Sequence, residues 1–566
     1  MYILGISAYY HDSSAVLLKD GKILSAFEEE RFTRVKHDNS FPFLAIEQCL
    51  EINNLQISDI DYIVYYEKPL LKFERIIETF VETYPFSVKP FIKAIPEWFG
   101  DKIKIEEIIK KKLKYDGKIY FIPHHLSHAA STFYPSPFEK AAILTIDGVG
   151  EYQTTGLWLG EKNSIKPLAE INFPHSFGLL YSTFTAFLGL QVNNDEWKMM
   201  GLSAYGKPTY KDLVYKLIDI KKDGSFRLTM KYFSYRESFQ MWTKEFENLF
   251  GKPKKKGTEF TQRHKDIAAS IQKVTEEIYI KILNHLYELT KTANLCISGG
   301  VALNSLANGL IYPQTLFKNV YIFGPAGDSA AAVGAALYTY HAILKKKQRI
   351  EIRNLNFGTK YSNEQIEEIL QKHSLKYEKL NEQKLIKKTA ELLSKNNIIG
   401  WFQENMEFGP RALGNRSLLA NPAPKSMKER VNEVKMREQF RPFAGSVLQD
   451  KVQELFEVPE KNHHSPFMNF VFQVKPEARK KIQAIVHADN TCRIQTVNKR
   501  DNPLYYELIH RFYELTGIPC VLNTSLNTKI EPIVENPEQA IYDLETTNMD
   551  YMVLGNFLVK KPSGKG

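Results

Sequence analysis

The sequence predicts an α/β protein of two domains, and three observations carry that prediction. A strand-turn-strand pattern opens the chain and returns near residue 142. An apolar strand at 294–297 feeds a glycine turn ahead of a helix, and helices alternate with strands through the C-terminal part.

In chain order, Tyr2-Ile-Leu-Gly-Ile reads as the first strand, followed by a polar turn at His11-Asp-Ser-Ser and by strands Ala15-Val-Leu-Leu and Gly21-Lys-Ile-Leu-Ser. Ala142-Ile-Leu-Thr-Ile, the turn Asp147-Gly-Val-Gly and Thr154-Thr-Gly-Leu-Trp-Leu repeat the pattern. A spacing of about 140 residues is far longer than the ~20–50 residues of a solenoid repeat, so the pattern marks two related lobes whose turns can face one ligand.

Apolar spacing predicts a helix over Asp266–Thr290 before the strand Asn294-Leu-Cys-Ile and the turn Ser298-Gly-Gly. Gly324-Pro-Ala-Gly-Asp-Ser leads into an alanine-rich helix, Ala330–Leu344, and the polar connection that follows places a domain boundary near 345–360. The first domain is expected at 1–350 and the second at 356–566. The second has helices Asn363–His373 and Gln383–Lys395, strands Ile398-Ile-Gly-Trp-Phe and Pro519-Cys-Val-Leu, and a flexible tail from Lys560 to Gly566.

A chain of 566 residues with 43% hydrophobic and 25% charged residues is long enough for more than one domain and should fold throughout. It has no run of ~18 apolar residues, and its N-terminus lacks a basic leader, so a cytoplasmic protein with no membrane association is expected. Cys49, Cys296, Cys492 and Cys520 stand singly, which excludes a disulfide framework and a zinc module. The formal charge of +10 is spread over distant lysine runs; that favours a solvated surface and anionic small substrates over a nucleic-acid face.

Several segments offer chemistry. Asp147-Gly-Val-Gly150 lets backbone N–H groups approach a phosphate while its aspartate holds a metal or a metal-bound water, although a hairpin turn has the same composition. Ser298-Gly-Gly-Val-Ala-Leu-Asn304 presents glycines at a strand end, where a nucleotide can lie against the backbone. His124 and His128, four apart on a helix that starts after Pro123, share a face as two metal ligands would, with His125 and His128 as a rival pair. Asp328 sits at a strand-to-helix corner, either as a ligand or as a helix cap. Arg411, Arg416, Lys435, Arg437, Arg441 and Arg493 suit a phosphate-bearing substrate.

These motifs, with Glu28-Glu-Glu-Arg-Phe-Thr-Arg-Val-Lys-His37, Lys198-Met-Met-Gly-Leu, Gly409-Pro-Arg-Ala-Leu-Gly-Asn-Arg416, Lys435-x-Arg-Glu-x-Phe-Arg-Pro-Phe443 and Asn523-Thr-Ser-x-Asn527, resemble those of the O-carbamoyltransferases. That family includes the nodulation-factor, tobramycin and cephamycin enzymes, and the resemblance runs from the first strand to about residue 550. It implies an actin-like, sugar-kinase-like ATPase domain with duplicated lobes, followed by a YrdC-like α/β domain.

It also implies the chemistry. The second domain would hydrolyse carbamoyl phosphate to carbamate, which passes internally to the first domain and attacks ATP, giving carbamoyladenylate and pyrophosphate. A hydroxyl-bearing acceptor, a sugar or another small molecule, then takes the carbamoyl group.

By the same resemblance, His124, His128 and Asp328 match ligands of Fe2+ or another divalent metal. Asp12, Asp147, Gly148, Val149, Gly150, Lys198, Gly300, Val301, Ala302, Leu303 and Asn304 match contacts to ATP, used with Mg2+, or to carbamoyladenylate. Arg411, Lys435, Arg441, Arg493 and Asn523 match the carbamoyl phosphate site, and His11 and Lys36 fall at catalytic positions.

Asn490, Cys492 and Ile530 depart from the family pattern; asparagine tolerates positive φ nearly as glycine does, whereas isoleucine does not. Two other functions share some of these features. A sugar-kinase-like phosphotransferase would use the same cleft but release ADP instead of pyrophosphate. A non-catalytic ATP-binding subunit of RNA modification would bind tRNA with steep salt dependence.

Overall fold

Ile3, Leu4 and Ile6 are all fully buried, so the strand Tyr2–Ser7 is covered on both faces, as the central strand of an α/β sheet must be. Its sheet runs in the order Lys22–Glu28, Ser14–Lys19, Tyr2–Ser7, Tyr62–Tyr65, Lys118–Phe121. Tyr2–Ser7 is antiparallel to Ser14–Lys19 and parallel to Tyr62–Tyr65, which is parallel to Lys118–Phe121. Asp20 and Gly21, both at positive φ, make the tight turn between the second and third strands.

A second five-stranded sheet repeats this order with Ser164–Asn172, Gln153–Glu161, Lys140–Ile146, Asn294–Ser298 and Asn319–Ile322. Its central strand Lys140–Ile146 is again antiparallel to its hairpin partner and parallel to Asn294–Ser298. The duplicated hairpins therefore belong to duplicated lobes, the architecture of the actin-like, sugar-kinase-like ATPases.

The computed structural model describes residues 1–562 and divides into two units, 1–25 with 39–351, and 26–38 with the chain from Ile352 onward. In the first unit the helices His124–Phe133 and Asp328–Tyr338 come together backbone to backbone. A Cβ at Gly334 would stand 1.8 Å from the Ser127 carbonyl oxygen, so only glycine permits the approach. The alanine-rich helix begins at Asp328 and widens into a π-helical segment over Thr339–Ile343.

The second unit is built on a nine-stranded mixed sheet. Its strand order is Tyr377–Lys379, Phe557–Lys560, Tyr551–Leu554, Ile399–Phe402, Arg416–Ala420, Cys520–Ser525, Ala444–Leu448, Thr491–Val497, Phe470–Gln473. Ser362 and Gln365 form a capping box on the helix Asn363–Lys372, while Asn502-Pro503 and Asn536-Pro537 start two more helices. Residues 26–38 belong to this unit through hydrogen bonds from Arg31 to the Gly409 carbonyl (2.7 Å), from Arg34 to those of Pro532 and Ile533 (2.8 and 2.9 Å) and from Lys36 to that of Lys529 (2.6 Å).

The expected tail is shorter than its composition suggested, because Lys560 closes the strand Phe557–Lys560; residues 563–566 of that tail lie outside the described residues. Asn490 has φ +64, as a glycine position allows, whereas Ile530 is 84% exposed and is not among the residues of positive φ, so the loop makes no demand that isoleucine cannot meet. All four cysteines are buried and free, and no helix among the described residues is long and apolar enough to cross a membrane.

Candidate functional site

In the first unit, the two lobes bring together four ligand-type side chains that are far apart in sequence. His124 and His128 project from one helix face with their Nε2 atoms 3.1 Å apart. Asp147, in the turn after Lys140–Ile146, places Oδ2 3.0 Å from His128 Nε2 and 3.4 Å from His124 Nε2. Asp328, the first residue of its helix, places Oδ1 3.4 Å from His128 and 3.7 Å from His124. The four ligand atoms all lie within 4.8 Å of one another and all four residues are buried.

Asp328 is 1% exposed and neither carboxylate oxygen makes a well-formed hydrogen bond, with the imidazole nitrogens of His128, His124 and His11 standing 3.4–3.8 Å away. A carboxylate in that position needs a cation, and a His₂Asp₂ set of this size fits a divalent metal. Burial opposes a charge on His128, but Asp147 and Asp328 outweigh it and push its pKa up to about 9. His11 behaves alike: burial works against its charge, yet Asp328 and Asp12 push it up to about 10, with Nδ1 2.8 Å from Asp12.

Local structure fixes the ligands. The Glu151 carboxylate accepts from the His124 backbone N–H (3.0 Å), placing negative charge at the start of the helix. His128 Nδ1 lies 3.2 Å from Ser298 Oγ, which sets the ring while Nε2 faces the carboxylates. His125 turns away, with Nδ1 2.9 Å from Thr145 Oγ1, so the pair on the site is His124 with His128.

The residues matched to nucleotide contacts divide. Gly148 donates its N–H to Asp147 Oδ1 (2.7 Å), Gly150 lies against His124, and a Cβ at Gly300 would stand 3.1 Å from Asp147 Oδ1, so both turns reach the metal-ligand group; Val149 completes the first. Val301, Ala302 and Leu303 continue the turn begun at Gly300. Asn304 caps the helix Ser305–Gly309 and pairs reciprocally with Gln272, while Lys198 pairs with Asp195. Asp12 has φ +53 and faces His11.

The second unit gathers cations. Register puts Asn523, Ala444 and Arg493 level across three neighbouring strands, so Asn523 and Arg493 rise from the same face with only a methyl group between them. Two residues along, Ser446 and Gln495 extend this polar face, and Asn523 Nδ2 donates to Ser446 Oγ (2.9 Å) and Gln495 Oε1 (3.2 Å). Asn523 Oδ1 is buried without a donor. The buried Glu407 carboxylate receives the N–H groups of Leu413 and Asn415 (both 2.7 Å) and so pins the loop that carries Arg411.

Burial, then the neighbouring Arg493, holds Arg411 well below its ordinary pKa. Burial lowers Arg493 to about 10, and burial with Arg441 and Arg493 lowers Arg437 to about 9. Lys435 is likewise depressed by burial, Arg437 and Lys36. Arg441 is 4% exposed and pairs with Glu438. Partly or fully buried cations that repel one another are poised for an anion.

Arg416 differs: it is fully buried, donates to the carbonyls of Gln403 (2.6 Å) and Thr359 (3.1 Å), and stacks 3.6 Å over Phe402, which makes it part of the core. Sequence reasoning gave Asp147 the capacity to hold a metal or a metal-bound water but counted only His124, His128 and Asp328 as ligands by the resemblance, and it did not assign Ser446, Gln495 or Glu151. The period-two spacing of Arg493 and Gln495 was the signal available for Gln495.

Residues 2–337 match the family described as carbamoyltransferase N-terminus, and residues 390–561 match carbamoyltransferase C-terminus. The chain is 35% identical to nodulation protein NolNO of Sinorhizobium fredii, over 98% of this chain and 80% of that protein. It is 36% identical to NolO of Bradyrhizobium diazoefficiens, over 77% of this chain and 78% of that one, and 44% identical to an uncharacterised Synechocystis protein, over 99% and 97%. Among solved structures, HypF in its phosphate- and nucleotide-bound form overlaps 60% of this chain and 55% of its own, at 14% identity and a TM-score of 0.34.

Proposed function

The chain belongs to the carbamoyltransferase family, and on that footing we propose that it makes O-carbamoyl products from carbamoyl phosphate, ATP and a hydroxyl-bearing acceptor. The reaction would run in three steps: carbamoyl phosphate and water give carbamate and phosphate, carbamate and ATP give carbamoyladenylate and pyrophosphate, and the adenylate with an alcohol gives the carbamate ester and AMP.

The first step falls to the second unit, and one observation carries that assignment: Arg411, Lys435, Arg437, Arg441 and Arg493 are cations depressed or buried beside the polar face of Asn523. Guanidinium forks bind phosphate oxygens in pairs. The donor-free Oδ1 of Asn523 suits the carbamoyl N–H.

The adenylation and transfer steps fall to the first unit. His124, His128, Asp147 and Asp328 would hold a divalent metal, iron(II) by the family resemblance, which when bound supplies positive charge against phosphate oxygens. His11, paired with Asp12 and near Asp328, carries its own proton as it stands and would take that of an acceptor hydroxyl only after a metal held on Asp328 lowers its pKa. The turns at Gly148–Gly150 and Gly300 give a nucleotide phosphate close access to backbone N–H groups.

Purified protein given carbamoyl phosphate without ATP should release phosphate slowly; with ATP it should yield pyrophosphate. Accumulation of ADP instead would favour a phosphotransferase and overturn the adenylation step.

A further inference from the structure

The helix Pro69–Thr83 of the first unit carries a cation that its surroundings leave over. Its start is tied to the metal-ligand group, since the Lys68 N–H donates to Glu151 Oε1 (2.8 Å), and the same carboxylate receives the His124 N–H (3.0 Å). Lys72 and Arg75 follow three residues apart and so share one helix face. Lys72 is buried, its ammonium 2.6 Å from Glu67 Oε2 and 4.9 Å from the centre of the Tyr10 ring. Tyr10 in turn packs on His11, ring centroids 4.7 Å apart, in a turn flanked by Tyr9 and Asp12 at φ +71 and +53. A Cβ at Gly148 would stand 3.7 Å from the Tyr10 hydroxyl, so this side chain reaches the turn that carries Asp147.

Arg75 finds no partner of this kind. Its guanidinium stands 4.8 Å over the Phe173 ring, its Nε is buried without an acceptor, and among the described residues no hydrogen bond or ion pair engages its side chain. The acids around it are engaged elsewhere: Glu67 by Lys72, Glu151 by the two backbone N–H groups, and Glu78 by the Tyr152 hydroxyl (2.7 Å). Tyr10 and Glu67 are the foremost groups whose fields act on Arg75, which puts it within electrostatic reach of the tyrosine that packs on His11. A guanidinium keeps its charge when buried, and one stacked on a ring with its N–H fork unused is preorganised for an oxyanion.

We propose that Arg75 receives an anionic group of the acceptor, so that the molecule carbamoylated at this site carries an oxyanion, phosphate or carboxylate, beside its reactive hydroxyl. The proposal rests on the reading of the first unit as the transfer site. The hydroxyl stands at His11, the body of the acceptor lies along Tyr10, and Arg75 holds the anion and so selects which hydroxyl points inward. A neutral acceptor covering Arg75 would strip water from an unpaired charge, whereas an anionic one replaces that water with charge-assisted hydrogen bonds. The nucleotide has its own donors in the turns at Gly148–Gly150 and Gly300.

The test is equilibrium dialysis of glucose 6-phosphate, glucuronate and glucose against the full chain carrying Arg411→Ala, which takes the anion site of the second unit out of the comparison. At least one of the two anions should bind ~10-fold or more tighter than glucose, and which of them does so separates phosphate from carboxylate. Adding Arg75→Gln should remove that preference and leave glucose affinity as it was, an outcome that loss of packing on Phe173 alone would not produce. Arg75→Lys keeps the charge without the fork and should retain only part of the preference. If the glutamine variant does not fold, the lysine variant decides.

Equal affinity for the three sugars, or a preference for the anions that survives both substitutions unchanged, overturns the proposal. So does a loss of ATP affinity alone, which would assign Arg75 to the nucleotide. The transfer reading fails by a separate measurement, ADP in place of pyrophosphate, so the two failures are told apart.

Discussion

His128 Nε2 and Asp147 Oδ2 meet at 3.0 Å, although one belongs to a helix and the other to the hairpin turn of the second lobe. The candidate metal site is therefore a property of the first unit as a whole and not of the histidine helix alone. Asp147→Asn keeps the size of the side chain and removes its charge, and it should lower metal affinity by at least ~10-fold by elemental analysis. Phosphate binding should be unchanged in this variant.

Gly150→Ala tests the same geometry without touching a ligand. Its Cβ would lie 3.0–3.1 Å from ring and Cβ atoms of His124 and from His125, so the helix must give way. A thermal melt should register a loss of about 1–3 kcal/mol, and metal occupancy should fall with it.

Arg411 and Arg416 lie five residues apart in one motif and should respond in opposite ways. Arg416→Ala strands two buried carbonyls and empties a stacked site, so it should cost roughly 3 kcal/mol of stability. Arg411→Ala relieves repulsion from Arg493 and should leave the melt unchanged or raise it. The parent should gain about 2.7 kcal/mol at phosphate a hundredfold above Kd; the Arg411 variant should lose that gain.

His463 gives the second unit an acid limit. It is 3% exposed, and burial, then His464, lowers its pKa from 6.5 to about 4, so the folded state keeps it neutral. The unfolded chain takes up the proton first as pH falls below 6.5; stability therefore declines between 6.5 and about 4 and levels off beneath. The loss is on the order of 3 kcal/mol, and denaturant titrations of parent and His463→Asn across that range should differ in slope.

Local chemistry made much of this legible. The hairpins, the glycine turns and the four-residue spacing of His124 and His128 follow from periodicity and turn composition, which neighbours in sequence express directly. Strand order does not. Asn523 and Arg493 share a face because Ala444–Leu448 inserts between their strands, an adjacency that no local pattern encodes. The separate fates of Arg411 and Arg416 likewise depend on what the loop packs against, since both are arginines two residues after a glycine.

The grouping of residues 26–38 with the chain beyond Ile352 has a practical outcome for anyone dividing the gene. No single cut yields a complete second unit, because a fragment starting there lacks Arg31, Arg34 and Lys36 and leaves the carbonyls of Gly409, Pro532, Ile533 and Lys529 without their donors. Fission would have to supply that thirteen-residue strap as a separate peptide or graft it onto the fragment. The early segment thus ties residues 26–38 and the chain beyond Ile352 into one heritable block, in which the later part cannot be exchanged alone.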